Sequence, residues 1–281
     1  MTHKSMCGLL AMSLALVCAG AQEIPPPPAA GRVFPEWQSV RDTAGVQRLL
    51  QPMAGSPQAD WAAAGYVRLP VNFSGTRHER VSWDIKIKAD LRGSRGIQFD
   101  FFCRELEPLT AFSLYFRSGG GWYHASFCPD RVGAWQRIVI DKADTRIEGP
   151  GAGWGAVDTL RLSGWRGRDQ DTLCAIANLG WAGGKPEALV VRADSNVSGS
   201  GGERKAFGDY ASTVSATFDR LGIESVQVAD TDLAPELFTG IKLVVLPYNP
   251  RVPAAARARA RRRRPTGRRS AAPAGVRRPR N

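Results

Sequence analysis

A strict two-residue alternation constrains this chain more than anything else in it. Val81-Ser82-Trp83-Asp84-Ile85-Lys86-Ile87-Lys88 sets apolar and polar side chains in turn, the mark of a strand with one face buried and the other wet. Short strand-like runs recur at Ile97 to Phe102, Phe112 to Arg117, Trp122 to Phe127, Trp135 to Ile140, Thr159 to Ser163 and Leu173 to Leu179. Gly, Pro and Asp punctuate the gaps, and Ser118-Gly119-Gly120-Gly121 reads as a hairpin turn between two of the runs. Residues 33–183 are therefore expected to be a mainly β domain with enough strands for two packed sheets.

The period changes after Gly184. Ala188 to Arg192 reads as a short apolar strand. Phe207, Tyr210, Val214, Phe218 and Leu221 then fall at helical spacing, with Gly222 as the stop. Ser225 to Val228, Leu233 to Phe238 and Lys242 to Leu246 follow as strand, short helix and strand. Residues 184–250 thus read as a partial α/β domain with a parallel sheet. Three strands and two helices would leave a sheet edge exposed.

The two ends differ from this body. His3 and Lys4, the apolar run Gly8 to Val17 and the small residues Ala19-Gly20-Ala21 make residues 1–21 a signal peptide, with Gln22 as the expected first mature residue. The apolar run is too short to span a bilayer, so the expected location is secreted or periplasmic, with no membrane partner. Residues 22–32, with Pro25 to Pro28, read as a stiff linker.

Residues 251–281 carry 12 of the 38 Lys and Arg residues, all of them Arg, and no acid. The remaining 26 basic residues balance the 26 Asp and Glu. The tail therefore holds the whole excess charge, and its composition is that of a disordered segment. Arg, Ala, Pro and Gly share GC-rich codons, so out-of-frame text is a second reading. A basic arm for nucleic acid or an anionic surface is a third, disfavoured in an exported chain.

Cys7 and Cys18 lie in the signal, leaving Cys103, Cys128 and Cys174. Export permits a disulfide. Cys103 and Cys128, about one hairpin apart, could pair, and with three cysteines one thiol stays free; the spacing alone does not fix the pairing. Three His residues and no CxxC or HExxH motif give no metal site, and no cofactor motif is complete. Gly199-Ser200-Gly201-Gly202 lacks the GK[ST] ending of a phosphate loop and reads as a connector. Glu105 and Glu107 beside Pro108 have nothing around them to make a glycosidase pair, and no G-x-S-x-G elbow exists. No complete catalytic site is legible.

Binding a sugar needs aromatic faces to stack on the ring and polar groups for its hydroxyls. Alternation puts Asp100 on one strand face, Tyr115 and Arg117 on a second, and Trp122 and His124 on a third. If these faces coincide they form one aromatic, polar surface over a core of Phe99, Phe101, Leu114, Phe116, Tyr123 and Phe127. Trp165 follows Arg161 and Ser163 in alternation and is the expected exposed Trp outside the hairpin, whereas Trp83, Trp135 and Trp154 read as core. The plainer reading of such a face is ordinary solvation.

Gly133-Ala134-Trp135-Gln136-Arg137-Ile138-Val139-Ile140 and Gly153-Trp154-Gly155-Ala156-Val157-Asp158-Thr159-Leu160-Arg161-Leu162-Ser163-Gly164-Trp165-Arg166-Gly167 resemble the galactose-binding-like jelly-roll domains of secreted carbohydrate-active enzymes. The resemblance covers residues 60–183 and implies a jelly-roll β-sandwich. Leu221-Gly222-Ile223, Asp230 to Leu233 and Lys242 to Pro250 resemble the opening of a glutamine-amidotransferase-like α/β domain of bacterial glycoside hydrolases. The later nucleophilic Cys of that class has no counterpart beyond Cys174. The expected function is a secreted, non-catalytic carbohydrate-binding or accessory module for polysaccharide or oligosaccharide. The alternative is the N-terminal fragment of a secreted glycoside hydrolase whose catalytic region is missing.

Overall fold

The alternating runs pair into two antiparallel sheets. A computed structural model describes residues 23–53, 55–196 and 201–249; the signal peptide, the Gly199-Ser200 connector and the Arg-rich tail lie outside the described residues. Two short helices, α1 (Pro35–Gln38) and α2 (Thr43–Leu49), lead into β1 (Leu50–Met53), β2 (Asp60–Ala62), β3 (Tyr66–Val71) and β4 (Arg80–Ala89). The next strands are β5 (Gly96–Cys103), β6 (Leu109–Ser118), β7 (Gly121–Phe127) and β8 (Gln136–Asp141). The sandwich ends with β9 (Arg146–Glu148), β10 (Val157–Arg166) and β11 (Thr172–Trp181). One sheet runs β1-β4-β10-β6-β7-β9 and the other β2-β3-β11-β5-β8. The two strands latest in the sequence, β10 and β11, are each paired on both sides.

The facing sides hold one core. Val81, Trp83, Ile85 and Ile87 of β4 meet Phe99 and Phe101 of β5 and Leu114 and Phe116 of β6. The ring of Phe101 in one sheet sits edge-on to Phe112 and Phe127 of the other, at 4.8 and 5.6 Å, and those two stack at 5.3 Å. Each fully buried Phe contributes about 2 kcal/mol. Gly119 at the β6–β7 turn has φ +62, which is why glycine occupies the tip of this hairpin.

Part of the outer face of the five-stranded sheet is covered, while Arg137 and Val139 of β8 stay exposed. Ile24 packs with Tyr66, Phe102, Ala175 and Ala177. Trp135 donates its indole N–H to Pro25 O at 2.7 Å, and Asn178 donates to Pro28 O at 2.8 Å. The proline-rich segment expected as a linker is thus strapped across a sheet. Asn178 itself has φ +54, at a bulge where the β11 register shifts before Gly180. A Cβ on Gly180 would lie 1.7 Å from Arg32 O, so only glycine admits the bridge to Val33.

The strand order rules out the Cys103–Cys128 pairing that their spacing allowed. β5 pairs with β11 and β8, whereas β7 belongs to the other sheet. Cys128 is exposed and Cys103 is buried, directly opposite Cys174.

Beyond the sandwich, β12 (Ala188–Arg192), α3 (Gly201–Arg220), β13 (Ser225–Ala229) and β14 (Leu243–Val245) build a parallel sheet in the order β13-β12-β14. The helix lays Ala211 and Phe218 on Ala188 and Val190. Leu233 and Phe238 cover Leu189 and Val191 from the other side, so β12 is buried on both faces. The expected second helix is only a 3-10 turn, Pro235–Phe238. Gly222 has φ +69 just after α3, fitting the expected stop.

Charged groups fill the junction between this unit and the sandwich. Arg95, beside β5, reaches Asp219 of α3 at 3.4 Å. A cavity of about 50 Å³ is lined by Arg92, Arg95, Lys142, Trp154, Asp219 and Asp232. Lys142 is half-exposed as a residue, but its ammonium is the deep end, donating to Leu91 O at 2.7 Å and Arg92 O at 3.2 Å. Burial lowers its pKa from 10.5 to about 7, against the pull of Asp141, Asp232 and Asp90 and with a push from Arg192. Between these two values the unfolded chain holds a proton that the native chain has released, so stability rises with pH across that window. The urea midpoint is expected to climb from pH 7 to pH 9, and Lys142→Met is expected to flatten the climb. Equal slopes for the two chains would contradict this account.

Candidate functional site

The outer face of the six-stranded sheet is where most of the expected binding residues meet. On β6 the core takes Phe112, Leu114 and Phe116, so Ser113, Tyr115 and Arg117 turn outward. By the same alternation β7 turns out Trp122, His124 and Ser126, and β10 turns out Arg161, Ser163 and Trp165. The registers set Asp84, Arg161, Tyr115 and His124 side by side on β4, β10, β6 and β7. Beside that row lie Arg117, Trp122 and Glu148.

Side-chain contacts lock this face. Arg161 donates two hydrogen bonds to the buried Asp84 carboxylate, at 2.6 and 3.0 Å. That bond raises the Arg161 pKa above its usual value although burial opposes it. The Arg161 guanidinium lies over the Trp122 ring at 4.7 Å, and that of Arg117 at 6.0 Å. Arg117 donates to Asp158 at 2.7 Å. Burial raises the Asp158 pKa, but hydrogen bonds from Arg117 and Thr159 and the charges of Arg117 and Lys86 together outweigh it and leave the carboxyl below its ordinary value. Tyr115 stacks on His124 at 5.2 Å, and His124 Nε2 is 3.0 Å from Glu148. Between the aromatic groups the floor is small and polar: the Ser82–Ser163 hydroxyls meet at 2.8 Å and the Ser113–Ser126 hydroxyls at 3.2 Å.

Tyr115, Arg117, Trp122 and His124 are therefore brought together, each half-buried. Trp165 shares the face but stands apart, toward the other end of β10. Its indole N–H donates to Ser113 at 3.0 Å, and the Arg80 guanidinium lies 5.0 Å over its ring. It is half-buried rather than fully exposed. Six residues separate the Thr159 row from Trp165, about 20 Å at ~3.3 Å per residue.

Asp100 is the correction. It lies on β5 in the other sheet, 1% exposed, bound by Arg137 through two bonds of 2.9 Å and by Asn178 at 2.6 Å. Alternation ranks the two faces of one strand but does not say which sheet the strand joins. Conversely, Arg161, Asp84 and Glu148 belong to the face and were not singled out. The alternation of β4 and β10 carries the first two, whereas Glu148 sits on a three-residue exposed strand without a readable pattern. Among the described residues no three His, Cys, Asp or Glu side chains gather as a metal-binding group, and no helix is long and apolar enough to cross a membrane.

No family model and no curated protein matches this chain. Among solved structures it is similar to an arabinose-bound α-L-arabinofuranosidase, with 10% identity, 53% of this chain and 26% of that one covered, and a TM-score of 0.37. An agarase matches with 13% identity, 56% and 25% coverage and a TM-score of 0.37. A family 11 carbohydrate-binding module from Clostridium thermocellum, in complex with a β-1,3-1,4-mixed-linked tetrasaccharide, matches with 13% identity, 56% and 98% coverage and a TM-score of 0.35. The chain spans about a quarter of the length of the two enzymes. Identities and TM-scores this low carry no argument, so the mainly β sandwich stands on its registers and core. Nothing among these likenesses supports the glutamine-amidotransferase-like reading of residues 184–250.

The ion pair beneath Trp122 has a measurable consequence. Arg161→Met leaves the Asp84 carboxylate buried without its partner, a change expected to cost about 2–3 kcal/mol in urea unfolding. Asp84→Asn in the same chain is expected to recover part of it. A loss within ~0.5 kcal/mol, the range of an ordinary surface change, would show that the pair does not brace the face.

Proposed function

We propose that the outer face of the six-stranded sheet binds an extended polysaccharide or oligosaccharide chain without cleaving it, as an exported binding or accessory module. The observation that carries this reading is the gathering of half-exposed Tyr115 and Trp122 with Arg117 and His124 on one braced face, with Trp165 farther along it. Ring C–H groups of a sugar stack on Trp122 and Trp165, and hydroxyls exchange hydrogen bonds with Arg117, His124 and the exposed Ser126. The span of about 20 Å suits several linked rings rather than a single sugar. Because Arg161 and Arg117 already hold the indole of Trp122, little side-chain freedom is lost on binding.

The carboxylates of this face do not suit cleavage. Asp84 is held by Arg161, Asp158 by Arg117, and Glu148 by His124. None stands as a free acid facing a partner base across a scissile bond. Any activity of a longer enzyme would need residues outside this face.

Trp122→Ala is expected to weaken retention on an insoluble polysaccharide column at least tenfold, about 1.4 kcal/mol, while leaving the unfolding midpoint within a few degrees. Val139→Ala, at an exposed position on β8 of the opposite sheet, is expected to leave retention unchanged. Full retention by Trp122→Ala on every polysaccharide that holds the parent chain would overturn this reading.

A further inference from the structure

Cys103 and Cys174 are part of the core between the two sheets. They end the pairing of β5 with β11 and sit directly opposite each other in an antiparallel register. The next pair along, Arg104 and Leu173, shares a backbone hydrogen bond of 3.0 Å from Arg104 N to Leu173 O. Hydrogen-bonded and non-hydrogen-bonded pairs alternate in such a ladder, so Cys103 and Cys174 occupy a non-hydrogen-bonded pair. There the Cα atoms lie about 4.5 Å apart and the side chains approach most closely, inside the 4.4–6.8 Å range that a disulfide spans. The two sulfurs are 3.7 Å apart, with the Cys174 thiol aimed at Cys103 Sγ. Cys103 is 0% and Cys174 1% exposed. Cys128, the third cysteine of the sandwich, is exposed just beyond β7 of the other sheet, with its thiol turned to Thr110 O at 3.9 Å.

We propose that Cys103 and Cys174 form a cross-strand disulfide that links β5 to β11 at the heart of the five-stranded sheet. The oxidant is a disulfide compound, either a dithiol–disulfide protein or oxidised glutathione. The Cys103 thiolate attacks one of its sulfurs and forms a mixed disulfide, and the first thiolate of the oxidant leaves. The Cys174 thiolate then attacks Cys103 Sγ and expels the second. Two electrons and two thiol protons pass to the oxidant, which ends as a dithiol or as two thiols. The exchange runs equally with Cys174 attacking first, since both thiols are accessible in the open chain. Neither sulfur is open to an oxidant in the closed sandwich, so the exchange belongs to folding, before the sheets meet. Once closed, the bond is shielded from reductants by the same burial.

The test is refolding of the full chain from the reduced, denatured state in a buffer of oxidised and reduced glutathione, followed by alkylation in denaturant and tryptic mapping. The expected result is a linked pair of peptides, 96–104 with 169–192, because Pro186 blocks cleavage after Lys185, and an alkylated peptide 118–131 carrying Cys128. The bond is expected to resist reductant in native buffer and to yield to it in denaturant. Against a chain refolded fully reduced, the linked chain is expected to melt about 10 °C higher, the entropic effect of closing a loop of this length. A peptide pair joining Cys103 to Cys128, or all three of these cysteines alkylated after oxidative refolding, would overturn the proposal. Cys128→Ser is expected to leave the 96–104 to 169–192 link intact, and its loss in that variant would count equally against it.

Discussion

Phe101 of one sheet sits edge-on against the stacked rings of Phe112 and Phe127 of the other, and the rest of the molecule depends on that interlock. Aromatic rings at edge-to-face distance fix both the separation and the lateral register of the two sheets. Given that register, each strand must turn its alternate side chains outward, and the outer faces receive whatever the sequence puts there. The surface that the binding reading uses is therefore a by-product of the core beneath it. Tyr115 can face His124 only because Leu114 and Phe116 are already committed inward.

Each sheet then stiffens its outer face in the same way. A carboxylate on one strand, almost fully buried, is clamped by an arginine directly opposite on the next: Asp84 by Arg161, Asp100 by Arg137. Burying a lone carboxylate would be prohibitive, and the two-point guanidinium bond makes it tolerable while fixing the geometry of both strands. The clamps are put to different uses. The Arg137 clamp lies near the strap of residues 24–28, which covers part of its sheet. The Arg161 clamp lies under a half-exposed indole and leaves that sheet open. That asymmetry is the physical ground for looking for a ligand on one sheet rather than the other.

The sequence made the inward and outward sides of β4, β5, β6 and β7 readable, because eight or so residues of alternation are a local property. Core residues such as Phe99, Leu114 and Tyr123 followed directly. The partner of each strand was not readable, since pairing is decided by residues far apart: Asp100 was grouped with Tyr115 on parity alone, and Cys103 with Cys128 on spacing alone. β1 and β2 are too short to carry a period, and Pro70 interrupts β3. The α/β unit was legible in outline because Phe207, Val214 and Phe218 keep helical spacing. Its second helix shrank to a turn because Pro235 to Phe238 offers a single pair of apolar anchors.

The placement of β10 and β11 reaches beyond the finished structure to the order in which it can be made. The strand that joins β4 to β6 starts at residue 157, and the one that joins β3 to β5 starts at residue 172. Until both have left the ribosome, the earlier strands form fragments with unpaired edges, and no inner face can close. Almost the whole sandwich must therefore wait as an open chain, and its pairing of distant segments makes closure slow once it begins. A chain that delays its own collapse in this way stays threadable through a narrow passage for as long as its synthesis lasts.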